Sequence, residues 1–173
     1  MKAAIFTTLI LLLIAPVLVN AAPPNLQTPS PVIYLVENLD EQDNLGWCFD
    51  TQGPGFAETL HTHSCKPQGG DVQFAYNAET QWIYSAEFAG KCATLNQSAA
   101  SGVSFDLLDC GDSQLQKFVY NAEAMEFMPV ADQSLCIAAG ANSRPAGPYM
   151  ARTLELADCA ATHVSLKQWI IKE

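Results

Sequence analysis

Basic residues are scarce in this sequence. It contains eight Lys and Arg against 18 Asp and Glu, which gives a formal net charge of −10 at pH 7. Seven basic residues remain without Lys2, and the charge is then −11. A surface of this sign repels phosphate groups and anionic lipids. The composition therefore argues against a nucleic acid as the partner.

Long apolar runs are also rare, since the chain has one, residues 5–19, interrupted by Pro16. A helix needs about 20 apolar residues to span a bilayer, so this run is too short for a membrane anchor. Lys2 before the run and the small residues of Val19-Asn20-Ala21 after it are typical of a secretory signal. We expect residues 1–21 to be a signal peptide, and the protein to be secreted, either extracellular or periplasmic, without membrane insertion.

The motifs of common enzymes and metal sites are absent as well. The sequence has no Gly-Xaa-Ser-Xaa-Gly elbow, no Cys-x-x-Cys pair and no zinc-binding helix. A pair of carboxylates that could act as a glycosidase cannot be picked out. We therefore expect no enzymatic activity and no cofactor.

What the sequence does contain is an internal repeat with a step of 44 residues. Cys48, Cys92 and Cys136 follow this step, and so do the segments Phe-Ala-Tyr-Asn-Ala-Glu at 74–79 and Phe-Val-Tyr-Asn-Ala-Glu at 118–123. Two independent landmarks with one period indicate three equivalent units.

The six cysteines of an exported chain are most simply three disulfides. Six cysteines allow 15 pairings in principle. Because equivalent units should close equivalent loops, the repeat predicts one bond in each unit: Cys48–Cys65, Cys92–Cys110 and Cys136–Cys159.

Each unit contains short β-like runs separated by polar turns. In the second unit these runs are at 82–84, 90–95, 103–108 and 118–120. This spacing is typical of an all-β domain. Three units of about four strands, with the run at 32–35 closing against the run at 169–171, predict a twelve-stranded β-trefoil over residues 32–173. A solenoid is the competing repeat architecture.

The Pro-rich segment 22–31 is expected to be a flexible linker.

The repeat resembles that of the ricin-B-type lectin family, in which Gly-x-Cys-apolar-Asp opens a unit and Gln-x-Trp closes it. The openings here are Gly46-Trp47-Cys48-Phe49-Asp50, Gly90-Lys91-Cys92-Ala93-Thr94 and Ser134-Leu135-Cys136-Ile137-Ala138. The closings are Val72-Gln73-Phe74, Gln116-Lys117-Phe118 and Lys167-Gln168-Trp169. The aromatic residue of each closing motif is predicted to belong to the core.

The resemblance implies a sugar site in the first unit, made by Asp50, His63 and Asp71. In the family, the equivalent of Asp50 accepts hydrogen bonds from sugar hydroxyls, and the equivalent of His63 stacks on the sugar ring. The family has an amide where Asp71 stands. The resemblance therefore implies a secreted lectin-like module that binds simple sugars or glycoconjugates at one site at most.

A pairing argument from the cysteines also favours the first unit. If the two cysteines of each unit lie opposite each other on antiparallel strands, Asp50 faces His63, Gln52 faces His61, and Asp50, His61 and His63 share one face. The same rule pairs Thr94 with Leu108 in the second unit and Ala138 with Ala157 in the third, so only the first unit is expected to have a polar cluster on this face.

Other interpretations of these residues remain open. Asp50, His61 and His63 could ligate a metal, although three histidines in the whole chain make a dedicated site unexpected. The alternative function is a degenerate trefoil without sugar binding, acting as a protein-interaction or accessory subunit of a toxin or enzyme.

Asn96-Gln97-Ser98 is a glycosylation acceptor pattern. The long Pro- and Gly-containing stretch at 142–149 is a candidate contact surface or a tolerated insertion.

Overall fold

The computed structural model describes residues 22–173, so the predicted signal peptide lies outside the described residues. The regular secondary structure of the described residues is β-strand, apart from two single 3-10 turns at Gln114–Gln116 and Val164–Leu166. Within it, no helix has the length and apolar character to cross a membrane.

The structure has three units of four strands each, and the third unit carries one additional hairpin. The first unit comprises β1 (Val32–Leu35), β2 (Trp47–Thr51), β3 (Leu60–Ser64) and β4 (Phe74–Asn77). The second comprises β5 (Trp82–Ser85), β6 (Lys91–Leu95), β7 (Phe105–Asp109) and β8 (Phe118–Asn121). The third comprises β9 (Glu126–Pro129), β10 (Leu135–Ala139), the hairpin strands β11 (Arg144–Ala146) and β12 (Tyr149–Arg152), then β13 (Leu154–Asp158) and β14 (Trp169–Lys172).

Antiparallel pairing closes the units into one body. The second and third strands of the units pair as β2–β3, β6–β7 and β10–β13. Successive units are joined by the hairpins β4–β5 and β8–β9, and β1 pairs with β14 from Val32↔Lys172 to Leu35↔Trp169. First and last units therefore meet, as the β-trefoil prediction requires.

The repeated Tyr-Asn-Ala-Glu segments form the turns between units. The side-chain oxygen of Asn77 accepts hydrogen bonds from the backbone N–H groups of Glu79 and Thr80, both at 2.9 Å. Asn121 repeats this arrangement with Glu123 and Ala124, at 3.0 and 3.1 Å. An Asn side chain that caps its own turn is a local reason for this sequence, so the second landmark of the repeat is structural.

The aromatic residues of the closing motifs are fully buried, as predicted. Phe74, Phe118 and Trp169 belong to one core cluster with Phe49, whose ring packs edge-on against Trp169 at 4.7 Å between centroids. The indole N–H of Trp169 donates to the Ile137 carbonyl at 2.8 Å. The one buried polar group of this side chain is thereby satisfied.

All three predicted disulfides are present, but the strand register inferred from them was wrong by two residues. Asp50 lies opposite His61, and His63 lies opposite Cys48. The reason is that each second cysteine follows its strand and lies diagonal to its partner. The amide of Cys65 donates to the carbonyl of Gly46, at 2.9 Å, and the other two units repeat this contact.

A shift of two residues keeps each side chain on its face, because the strand period is two. Asp50, His61 and His63 do share a face, as predicted. The partners in the other units change. The same shift pairs different residues there: Thr94 with Asp106, and Ala138 with Glu155. A carboxylate therefore lies opposite each of these residues, where the wrong register had placed Leu108 and Ala157.

The segment 22–31, expected to be a flexible linker, packs against the first unit. Thr28 is fully buried, and its hydroxyl donates to the Lys66 carbonyl at 2.9 Å. Leu26 packs on the cluster that contains the Cys48–Cys65 disulfide. A Cβ on Gly46, whose φ is +87°, would lie 2.7 Å from Pro24 Cβ. The opening glycine of this unit therefore leaves room for the segment.

Candidate functional site

A cleft of about 430 Å³ lies over the polar face of the first unit. Its floor comes from β2 and β3, through Asp50, His61 and His63, and from Lys66 just after the disulfide. One wall is the turn at 51–54, and the other is the hairpin of β11 and β12, with Arg144 and residues 146–149. Two units of the repeat thus build one cleft.

The hairpin reaches this position because β12 extends the sheet of the first unit. Ala151 pairs with His63, and Arg152 pairs with Thr62. Arg152 fixes the base of the hairpin, since its guanidinium donates to the Gly140 carbonyl at 2.6 Å and forms an ion pair with Asp40. The same guanidinium stacks over the Trp47 ring, 4.7 Å from the centroid. A cation packed on an indole and paired with a carboxylate is a rigid support.

Asp50 is the centre of the floor and is fully buried. Its Oδ2 lies 3.7 Å from Nε2 of His61 and 3.4 Å from Nδ1 of His63, and both imidazoles are also buried. Neither carboxylate oxygen accepts a well-aligned hydrogen bond from the described residues. The sequence was right to group these three residues, but the carboxylate is covered, so it does not face the cleft as an open acceptor.

Lys66 was missed by the sequence analysis and holds the carboxylates of this site together. Its ammonium lies 2.9 Å from Oδ2 of Asp50 and 2.7 Å from Oδ1 of Asp71. Burial by itself lowers the pKa of Lys66, but the carboxylates of Asp50 and Asp71 outweigh it and raise the pKa above its ordinary value. Lys66 therefore stays protonated at neutral pH. Its place directly after Cys65 is not part of any motif that would have indicated it.

Asp71 is the third residue that the resemblance implied for a sugar site, and in the structure it pairs with Lys66. Its second oxygen accepts a hydrogen bond of 3.3 Å from the Gly55 amide, so Asp71 also holds the loop that follows β2. An amide at this position would not carry the charge that pairs with Lys66. Asp71 therefore contacts Lys66 and the loop at Gly55, and it is not one of the residues that line the cleft.

The two imidazoles are held in defined tautomers by their neighbours. Nδ1 of His63 lies 3.0 Å from the Ser64 carbonyl, which requires a hydrogen on that nitrogen. Nδ1 of His61 lies 3.3 Å from Nη2 of Arg144, a group that can only donate, so the hydrogen of His61 is on Nε2. Burial lowers the pKa of His63 although the Asp50 carboxylate opposes this, and the ring is neutral at pH 7.

The stretch at 142–149, left open as contact surface or insertion, supplies two groups to the cleft. Tyr149 packs edge-on against the His63 ring, with 5.6 Å between centroids. Arg144 is exposed on the rim and makes no ion pair with a carboxylate of the described residues. This wall therefore presents an aromatic ring and a guanidinium that has no carboxylate partner among the described residues.

The equivalent face of the second unit is closed by its own hydrogen bonds. Gln116, the glutamine of the closing motif, donates to the Thr94 hydroxyl at 2.8 Å and to the Asp109 carbonyl at 2.9 Å. Its oxygen accepts from the Gly111 amide at 2.8 Å. In the third unit the equivalent of Asp50 is the buried Ala138, which has no polar side-chain atom. The three units thus share a frame and differ in chemistry.

No protein-family model and no curated protein sequence matches this chain. Two solved structures are similar to it in fold. One is the β-trefoil lectin of the Vibrio vulnificus hemolysin/cytolysin with N-acetyl-D-lactosamine bound, at 13% identity and a TM-score of 0.54, covering 83% of this chain and 94% of that one. The other is GalNAc-T7 with UDP, GalNAc and Mn²⁺, at 15% identity and a TM-score of 0.52, covering 73% of this chain and 20% of that one.

These similarities confirm the β-trefoil fold predicted from the repeat. This chain spans only a fifth of GalNAc-T7, so the likeness to that protein concerns one part of it.

Proposed function

We propose that this β-trefoil protein is a secreted carbohydrate-binding module whose single sugar site is the cleft of the first unit. The observation that carries the proposal is the composition of that cleft, which combines buried charges with an aromatic wall. Sugar sites need fixed polar groups for the hydroxyls and an apolar ring for the face of the pyranose. The fold shared with a lectin that holds N-acetyl-D-lactosamine supports the same conclusion.

In this proposal the predicted site residues take different roles. Asp50 and Asp71 hold Lys66, and Asp50 also orients His61 and His63. The groups that meet the sugar are the imidazole of His63, the ring of Tyr149 and the guanidinium of Arg144. Each can donate a hydrogen bond or present an apolar ring face toward the cleft.

We propose recognition and no chemical step in this cleft. A general base must present its lone pair to the substrate, whereas the Asp50 carboxylate is covered by Lys66 and the two imidazoles. The alternative, an accessory subunit that binds a protein, uses the same fold without a sugar.

A glycan array with residues 22–173, followed by calorimetric titration of the best ligand, tests the proposal. We expect Tyr149→Ala and Arg144→Gln each to weaken binding about tenfold, because both side chains line the cleft. Tyr84→Ala is the matched control for Tyr149, since Tyr84 is an exposed tyrosine of the second unit. Lys172→Gln is the control for the lost charge.

Two results would contradict the proposal. One is the absence of binding to every glycan at millimolar concentration, which would favour the accessory-subunit alternative. The other is equal loss of binding in Tyr84→Ala and Tyr149→Ala, which would move the site away from this cleft.

A further inference from the structure

The donor atoms of Asp50, His61 and His63 converge more closely than the sequence led us to expect. One ligand atom from each residue lies within 4.8 Å of the other two. All three side chains are more than nine-tenths buried. Oδ1 of Asp50 and Nε2 of His61 have no hydrogen-bond partner among the described residues, whereas Oδ2 of Asp50 lies 2.9 Å from the Lys66 ammonium. Buried polar atoms without partners are rare, and such a group needs a physical explanation.

We propose that Asp50, His61 and His63 form a binding site for a divalent transition-metal ion, best matched by Zn²⁺. Two imidazoles and one carboxylate are a ligand set that zinc prefers, whereas Mg²⁺ and Ca²⁺ require more oxygen ligands. The cleft above the three residues leaves room for a water or another ligand in the fourth position. This inference does not depend on sugar binding.

The separation of Asp50 and His61 is compatible with two corners of a tetrahedral site. Zinc bonds of about 2.0–2.1 Å give edges of about 3.3 Å between ligand atoms. Oδ2 of Asp50 and Nε2 of His61 are already 3.7 Å apart. Ligation of His61 through Nε2 moves its ring proton to Nδ1 and ends the hydrogen bond from Arg144.

Support from outside the ligand set is present for His63. The Ser64 carbonyl accepts from Nδ1 of this ring, which is also the nitrogen that lies 3.4 Å from Oδ2 of Asp50, so a metal bound at the Nε2 lone pair requires the ring to turn. A ligating imidazole that donates its other N–H to a backbone carbonyl is the usual arrangement in metal sites.

Lys66 is the competitor of the metal. Its ammonium contacts Oδ2 of Asp50 at 2.9 Å, and an ammonium and a divalent cation repel each other at this separation. Metal binding therefore requires Lys66 to leave Asp50 and remain on Asp71, which it already contacts at 2.7 Å. Replacement of Lys66 by a neutral residue should consequently strengthen metal binding.

Calorimetric titration of residues 22–173 with ZnCl₂, in a non-coordinating buffer and without a histidine tag, tests the site. We expect one Zn²⁺ per chain, and at least tenfold weaker binding in His61→Gln and His63→Gln. His163→Gln is the matched control, since His163 is the third histidine and lies outside the cleft. Lys66→Gln should bind Zn²⁺ about tenfold more tightly than the native protein.

If a cleft histidine variant is unfolded by circular dichroism, the titration of the native protein decides the test, with His163→Gln as its control. Absence of saturable binding to the native protein and to Lys66→Gln would overturn the proposal. So would equal weakening in His163→Gln and His61→Gln. A glycan titration with and without Zn²⁺ is a separate readout, so failure of the metal site and failure of the sugar site are distinguishable.

Discussion

At the scale of single residues, Lys66 links two carboxylates that the sequence analysis treated as separate sugar ligands. The Asp50 carboxylate is fully buried, so it depends on a nearby cation for compensation. Removal of one partner from a buried ion pair leaves an uncompensated charge, and this costs far more than loss of an exposed pair. The chain offers both situations for comparison.

We expect Lys66→Met to lower the free energy of unfolding by about 3–5 kcal/mol, because Asp50 would remain buried without its cation. Lys91→Met is the control. Lys91 pairs with Asp109, whose side chain is 89% exposed, and loss of such a pair costs less than about 1 kcal/mol. Urea denaturation at pH 7 measures both values. Equal effects of the two substitutions would show that Lys66 does not compensate a buried charge.

The residues of the site were predictable to different degrees. Asp50, His61 and His63 were grouped correctly because a strand period of two survives a register error of two residues. The register itself could not be read from the cysteines, since diagonal and directly opposite positions both satisfy a disulfide. Lys66 follows no motif. Its role depends on its contacts with Asp50 and Asp71, which only the folded chain brings together.

At the scale of elements, the hairpin of β11 and β12 turns a strand face into a cleft. Pro145 and Gly147 indicated a loop in the sequence, but the segment became a hairpin because β3 offers an edge with which β12 can pair. Pro145 is tolerated because β11 is itself the outermost strand of the sheet. Such pairing depends on a neighbour that is distant in sequence, so local patterns do not predict it.

The hairpin should loosen in acid because Asp40 anchors it. Burial raises the pKa of Asp40, but hydrogen bonds from Ser143 and Arg152, with the charge of Arg152, lower it below its ordinary value overall. A carboxylate with a depressed folded-state pKa contributes stability above its unfolded pKa, near 4, and this contribution is lost as pH falls through the folded value. The protection factors of the amides at 144–152, which correct for the intrinsic pH dependence of exchange, should therefore fall below about pH 4.

The variant Asp40→Asn tests this anchor directly. We expect the protection factors of its hairpin amides to be low already at pH 7 and to fall little further on acidification. Asp109→Asn is the control, because Asp109 is exposed and contacts a different unit. Exchange rates of the hairpin that are the same in Asp40→Asn and the native protein would rule out this role for Asp40.

At the scale of the whole molecule, the repeat predicted the fold because three of its features are local or topological. The disulfides and the closing aromatic residues recur in all three units, and the asparagine turn recurs in the first two. The sugar and metal proposals rest instead on positions where the units differ. The features that all three units share therefore indicate the fold and say little about function. The cleft is built from the polar residues of the first unit and the extra hairpin of the third.

Export and cleavage after Ala21 remain predictions that the structure does not test. We expect the secreted protein to begin at Ala22 and to carry three disulfides, since these form in oxidising compartments. Mass spectrometry of the protein from a secreting host, before and after reduction, measures both features. A chain that keeps residues 1–21, or whose cysteines react with an alkylating reagent before reduction, would contradict this expectation.

The packing of residues 22–31 leads to a final prediction about stability. A flexible linker could be removed without cost, whereas this segment buries Thr28 and part of Leu26 and accepts a hydrogen bond from Lys172 at the end of β14. We expect a chain that begins at residue 32 to lose about 2 kcal/mol relative to residues 22–173, mainly from the exposed apolar surface and lost hydrogen bonds. Leu26→Ala in the longer chain should reproduce part of this loss, while Gln27→Ala, an exposed neighbour, should not. Equal thermal midpoints for the two lengths would show that the segment does not contribute to the stability of the domain.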